Sequence, residues 1–190
     1  MNTSDDRTTS ARLLARMRQR GASSVPESPM PRRQEGKPAP LSFAQQRLWF
    51  LNQFAPDSAE YALPFALRVT GPLDLTALER SLTALVERHE VLRTRLVVNA
   101  EGDPEQLVDA PWTVPVPVVD LTGTGDPELR EILARDVIEK EIEKPFDLAG
   151  GPLFRAVLVR LGVDDSVLFL CVHHVVADGW SMGVLANELG

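Results

Sequence analysis

Two apolar runs, residues 153–161 and 167–172, stand either side of Gly162-Val163-Asp164-Asp165, and no other feature constrains this chain as tightly. Aliphatic runs of that length predict strands, and a turn of Gly and Asp between them predicts a hairpin. Strands so apolar need other elements laid over them. The sequence supplies these. Asp74 caps a predicted helix reaching about residue 90, in which Leu75, Leu78, Leu82 and Leu85 form a core-facing stripe. A second predicted helix runs from Asp126 to about residue 143, rich in charged helix formers with Leu129, Ile132, Leu133, Val137 and Ile138 on one side, which makes it a surface helix. Ser42 caps a third over residues 43–51, where Phe43, Gln46 and Phe50 share one side and Arg47 and Leu51 a neighbouring one. Residues 63–70, stopped by Gly71-Pro72, read as a strand, and residues 91–98 and 105–108 as a hairpin around a polar turn. Residues 114–119 read as another short strand, and Ser181 starts a last helix. The irregular alternation, with no internal repeat, predicts an α/β fold: a mixed sheet flanked by helices.

A length of 190 residues suits one domain with a core, and 44% hydrophobic with 25% charged residues excludes a wholly disordered, collagen-like or membrane-embedded chain. The ordered part begins late. Residues 1–40 hold eight Lys and Arg against four acids, and five prolines, Pro26, Pro29, Pro31, Pro38 and Pro40. Residues 22–40 cannot bury enough apolar surface to offset ordering and read as a linker. Within residues 1–21, Ser10 caps and Gly21 closes a short helix carrying Leu13, Leu14 and Met17 beside four arginines. That amphipathic segment is a candidate docking element, against the plainer reading of a frayed, solvated helix. The globular part is expected over residues 41–190.

With a total of −7, the residues after Pro40 carry −11, the wrong sign for general nucleic-acid binding. No run approaches the roughly 18 apolar residues of a membrane span, and the first residues are polar where a secretory signal would be apolar. Cys171, the single cysteine, lies in an apolar run, which suggests a buried thiol and a cytoplasmic setting.

All three histidines fall in two segments, Arg88-His89-Glu90-Val91-Leu92-Arg93-Thr94 and His173-His174-Val175-Val176-Ala177-Asp178-Gly179-Trp180-Ser181. The second lies where a strand hands over to a helix, a common place for functional groups. Successive strand residues point to opposite faces, so one histidine is expected to work and the other to support it. A histidine can take a proton from an attacking amine or hydroxyl, or hydrogen-bond and position it. Asp178 could hold the turn through an ion pair with Arg88 or Arg93, and Gly179 would let a substrate arm approach the backbone. The plainer alternative is that the pair satisfies buried backbone groups. A metal site from His173, His174 and Asp178 is disfavoured because the adjacent side chains diverge. Cys171 has no neighbouring charge in sequence to activate it as a nucleophile.

The second segment matches the HHxxxDG signature of condensation domains from nonribosomal peptide synthetases, which share a fold with chloramphenicol acetyltransferase. Leu41-Ser42-Phe43-Ala44-Gln45-Gln46-Arg47-Leu48-Trp49-Phe50-Leu51 resembles that family's first motif, and the Arg88 to Thr94 segment its second, in the family's order. The resemblance covers residues 41–190 and corresponds to the N-terminal lobe of a two-lobed domain, with the C-terminal lobe missing. It implies amide bond formation between a donor acyl or peptidyl thioester and an acceptor aminoacyl thioester. Both would be carried on phosphopantetheine arms of carrier proteins, with no cofactor bound directly. It implies His174 as the catalytic residue, His173 and Asp178 as structural, Asp178 paired with Arg88, Gly179 beside the reacting centre, and Arg93 bracing the second motif. Trp180 and Ser181 are expected to pack and to cap a helix, with His89 and Glu90 as scaffold.

Intact His173 and His174 argue against a heterocyclisation domain, and the form of the first motif against an epimerisation domain. An acyltransferase of the superfamily using another acceptor, and a noncatalytic carrier-binding or remnant module, are the alternatives. With half of a two-lobed site, the isolated chain is expected to be inactive. An upstream donor carrier would come from another polypeptide, with a downstream acceptor carrier as second partner.

Overall fold

In the computed structural model, which describes residues 36–189, the hairpin expected at residues 153–172 forms the middle of a four-stranded sheet. The predicted helix at residues 10–21 and the linker up to residue 35 lie outside the described residues. In chain order the elements are β1 (Ala39–Pro40), α1 (Phe43–Phe54), β2 (Ala62–Thr70), α2 (Leu75–Arg88), a 3₁₀ turn (Glu90–Arg93), β3 (Thr94–Val98) and β4 (Pro104–Val108). They continue with β5 (Val118–Asp120), α3 (Pro127–Glu143), β6 (Phe154–Gly162), β7 (Asp165–His173) and α4 (Gly179–Leu189).

The sheet runs β2-β7-β6-β5, with β7 antiparallel to both neighbours and β5 parallel to β6, so it is mixed, as expected. Leu168 of β7 stands opposite Leu67 on one side and Leu158 on the other. A separate antiparallel sheet, β1-β4-β3, is one that the sequence pattern does not set apart; its register places Ala39 opposite Gln106 and Leu96 opposite Gln106.

The two central strands carry the core. Phe154, Leu158, Val159, Phe169, Cys171 and Val172 are fully buried, and Leu82, Leu85 and Val86 of α2 join the same cluster. Of the α2 stripe, Leu75 and Leu78 are partly buried against that core. Asp74 caps α2 by accepting from the Ala77 N–H at 3.1 Å, as the sequence predicts.

Four local expectations are corrected. Residues 91–93 belong to the 3₁₀ turn, so β3 begins at Thr94. Of the strand expected at residues 114–119 only Val118 and Val119 pair in register, in a strand that runs on to Asp120; Pro115 and Pro117 have no N–H to give a ladder, although Val114 and Val116 are buried. On α3 the covered face is centred on Ala134 with Val137, Ile138 and Ile142 against the core, while Leu129 and Ile132 are 45% and 61% exposed. The apolar stripe is thus wider than the surface it covers. Finally, α4 starts at Gly179, two residues before Ser181.

Candidate active site

The central strand β7 delivers His173 and His174 to the end of the sheet, and the following turn separates them. His173 is buried (4% exposed) and pairs in register with Ala62 at the head of β2. Its ring sits beside Tyr61 and meets Phe146 edge-on, with 5.9 Å between ring centres. Its Nδ1 accepts the Val175 N–H at 3.0 Å, which requires the neutral tautomer protonated at Nε2. Burial, with a smaller contribution from His174, pushes its pKa down to about 4. His173 is therefore buried and neutral at pH 7, with its ring bonded to the turn that follows.

His174 points the other way and is exposed. Its backbone is fixed, the N–H donating to the Tyr61 carbonyl at 2.8 Å, while its side chain lines an open cleft of about 390 Å³. Ser42, Ala44, Gln45 and Leu48 of the α1 end form one side of that cleft, and Val175 to Asp178 with Ser181 form the other. The alternation argument thus places one histidine on each face.

Asp178 is exposed and serves as the cap of α4. Its Oδ1 accepts from the Ser181 N–H at 2.8 Å and from the Ser181 hydroxyl at 2.7 Å, and Ser181 Oγ accepts the Asp178 N–H at 3.2 Å. The two bonds that the carboxylate accepts, above all that from the Ser181 hydroxyl, hold the Asp178 carboxyl below its ordinary pKa. The expected pairing of Asp178 with Arg88 does not form: Arg88 Nε lies 3.6 Å from Glu188. Asp178 satisfies itself locally, and α4 instead turns Glu188 toward α2, where His89 Nε2 also meets it at 2.8 Å. The Glu188 carboxyl is held below its usual pKa chiefly by that His89 contact.

Arg93 is largely buried, donates to the Asp109 carbonyl and lies 3.6 Å from Glu90, so it ties the 3₁₀ turn to the end of β4. A Cβ built at Gly179 meets nothing within 4 Å, so the space beside that backbone is open. Trp180 is 84% exposed, which corrects the expectation that it packs. Its ring borders a small apolar pocket of about 150 Å³ with Val91, Leu92, Val184 and Leu185, across the turn from the His174 cleft.

Several contributors are not marked as site residues by the sequence. Gln45 is one, although the Ser42-x-x-Gln45 spacing of a capping box is a signal that points to it. The box forms: Ser42 Oγ accepts the Gln45 N–H at 3.3 Å and Gln45 Oε1 accepts the Ser42 N–H at 2.9 Å. Phe146 and Arg155 are others, and nothing in their local sequence marks them. The Arg155 guanidinium lies 3.9 Å over the Phe146 ring and donates to the Glu141 and Lys144 carbonyls that end α3. Arg155 also stands opposite Cys171 in the β6–β7 register. A charge does therefore neighbour the thiol, contrary to what its neighbours in sequence suggest, but burial outweighs it and raises the Cys171 pKa.

Among the described residues no group of three or more His, Cys, Asp and Glu could hold a metal ion, and no helix is long and apolar enough to cross a membrane.

Comparison with known proteins identifies the family. A family model for the condensation domain matches residues 35–190. The chain is 43% identical over 171 residues to one of the linear gramicidin synthase polypeptides of Brevibacillus parabrevis, a match that spans 90% of this chain and 2% of that protein. It is 41% identical over 180 residues to the phosphinothricin tripeptide synthetase PhsC of Streptomyces viridochromogenes, spanning 94% of this chain and 16% of that one. Among solved structures, the first condensation domain of the CDA synthetase matches with a TM-score of 0.71 at 28% identity, over 80% of this chain and 39% of that chain. The starter condensation domain of rhizomide synthetase RzmA shares the fold, with a TM-score of 0.73 at 24% identity over 80% of this chain and 38% of that one. The chain thus spans a small part of the curated relatives and under half of the solved chains. With the motifs in order on a shared fold, this chain belongs to the condensation domain family.

Proposed function

We propose that this chain supplies the N-terminal lobe of a condensation domain in a nonribosomal peptide synthetase, joining a donor acyl or peptidyl thioester to the amine of an acceptor aminoacyl thioester. The observation that carries this reading is the division of the histidine pair: His173 is buried and neutral, and His174 is presented in a cleft on a fixed backbone. In the reaction the acceptor amine nitrogen attacks the thioester carbonyl carbon, the C–N bond forms and the C–S bond breaks. The nitrogen sheds one proton, and the departing sulfur takes one up. His174 hydrogen-bonds the amine and receives the proton it sheds. Asp178, as the cap of α4, and His173, as the anchor of the turn, keep that imidazole in place.

Both substrates would arrive on phosphopantetheine arms of carrier proteins, a reading supported by the likeness of the chain to peptide synthetases. Because the solved condensation domain chains are more than twice the length matched here, the isolated 190-residue chain is expected to show no turnover.

The test is His174→Ala in the protein as its gene encodes it, with loaded carriers supplied. Amide formation should fall by about 100-fold or more. The melting temperature should hold, since the side chain is exposed. Turnover within twofold of the parent at an unchanged melting temperature would overturn the catalytic assignment.

A further inference from the structure

We infer that Gln45 is a positioning residue for the His174 turn, an inference that rests on the reading of His174 given above. The Gln45 carboxamide joins three parts of the fold at once. Its Oε1 accepts the Ser42 N–H at 2.9 Å, which closes the start of α1. Its Nε2 donates to the Val175 carbonyl at 3.2 Å, one residue past His174, and to Gln106 Oε1 on β4 at 2.8 Å. Gln106 Nε2 in turn donates to the Pro40 carbonyl at 2.9 Å. A continuous line of hydrogen bonds therefore runs from the His174 turn through α1 to the small sheet, and the amide orientation is fixed because one end accepts while the other donates twice.

The rest of the turn is held from its other side. The His174 N–H bonds to Tyr61, the Val175 N–H to His173 Nδ1, and the Val176 N–H to the His173 carbonyl. Those bonds use the N–H groups; the bond from Gln45 uses the Val175 carbonyl and comes from the wall of the cleft opposite the turn. Gln45 thus sets the spacing between the two walls that flank His174. In a reaction that depends on holding an amine against a thioester, a shift of about 1 Å in such a wall costs on the order of 100-fold in rate.

Gln45→Glu separates this role from that of a helix cap. A glutamate at this position still accepts the Ser42 N–H, and Glu is a favoured partner in a capping box. It has no N–H to give Val175. Gln106 can turn its own amide to meet the new carboxylate, but the Val175 carbonyl cannot become a donor. In the protein as its gene encodes it, supplied with carriers loaded from a pool of common amino acids, Gln45→Glu should lower kcat tenfold or more. KM for the acceptor carrier should stay within twofold and the melting temperature within a few degrees. Gln106→Leu, which removes the bonds to Gln45 and to Pro40 but leaves those of Gln45 to Ser42 and Val175, should lower kcat less than Gln45→Glu.

Amide hydrogen exchange gives a second readout: His174 to Val176 should lose protection in Gln45→Glu while the amides of β6 keep theirs. His174→Ala is run alongside. If it abolishes turnover while Gln45→Glu leaves kcat within twofold and exchange unchanged, Gln45 is only a cap and this inference is wrong. If Gln45→Glu loses melting temperature in proportion to kcat, with protection falling throughout the sheet, the role is that of the fold at large and the inference is again wrong. If His174→Ala retains turnover, the reading of the site fails and takes the positioning role with it.

Discussion

His173 shows how one side chain can tie a site to the pH at which the protein folds. Burial holds its pKa near 4 against about 6.5 for an exposed imidazole, so the unfolded chain binds a proton between those values and the folded chain does not. Stability from this residue is complete above about pH 6.5 and is lost as pH falls toward 4. The loss amounts to about 3 kcal/mol, at 1.36 kcal/mol for each unit of pKa difference. His173→Asn keeps an acceptor for the Val175 N–H but does not titrate. The difference in unfolding free energy between parent and variant, measured in denaturant from pH 4 to pH 7, should therefore swing by that amount in the parent's favour as pH rises. A difference independent of pH would mean His173 is not held neutral. At this scale the sequence is generous: the pair stands out, and strand alternation separates the two rings. Which face is closed cannot be read from it, because Phe146, the residue that closes it, lies on a distant stretch and meets His173 only after α3 has ended.

At the scale of elements, the start of α4 decides what Asp178 is for. Its carboxylate and Ser181 cap each other, a D-x-x-S arrangement that is legible in sequence once both partners are considered. Choosing Ser181 alone misplaces the helix start, because a serine can serve as the return partner of a cap as well as the cap itself. Asp178→Ala should lower the melting temperature by a few degrees, as the loss of an N-cap does, read by thermal unfolding. In a double-mutant cycle by denaturant unfolding, Asp178→Ala and Arg88→Ala should be additive within about 0.5 kcal/mol, since they share no partner. A larger coupling would restore the ion pair that the resemblance implies. The covered face of α3 is hidden for a different reason: its apolar residues span more of the helix than β6 and β7 can cover, so periodicity alone cannot choose the contact line.

Over the whole molecule, the fold class follows from the central hairpin, whose apolar strands demand covering on both faces. The split into two sheets does not, because β1 is two residues long and pairs with β4 from far along the chain. What joins the parts is the buried centre of β7. Cys171 sits there, fully buried, opposite Arg155 and two residues before the buried histidine, and it is the chain's single cysteine. A thiol so placed turns the protein into its own reporter. Reagents that attach to sulfur can reach Cys171 only when β7 is uncovered, so the rate of attachment counts openings of the strand that leads into His174. Phe169→Ala, which empties a fully buried site on the same strand, should cost about 3–5 kcal/mol and hasten labelling by about 100-fold or more. Unchanged labelling in that variant would mean the thiol is reached by a local parting of β6 from β7. Oxidants follow the same route, so damage at Cys171 would mark molecules that had already opened at the sheet on which the histidine turn depends.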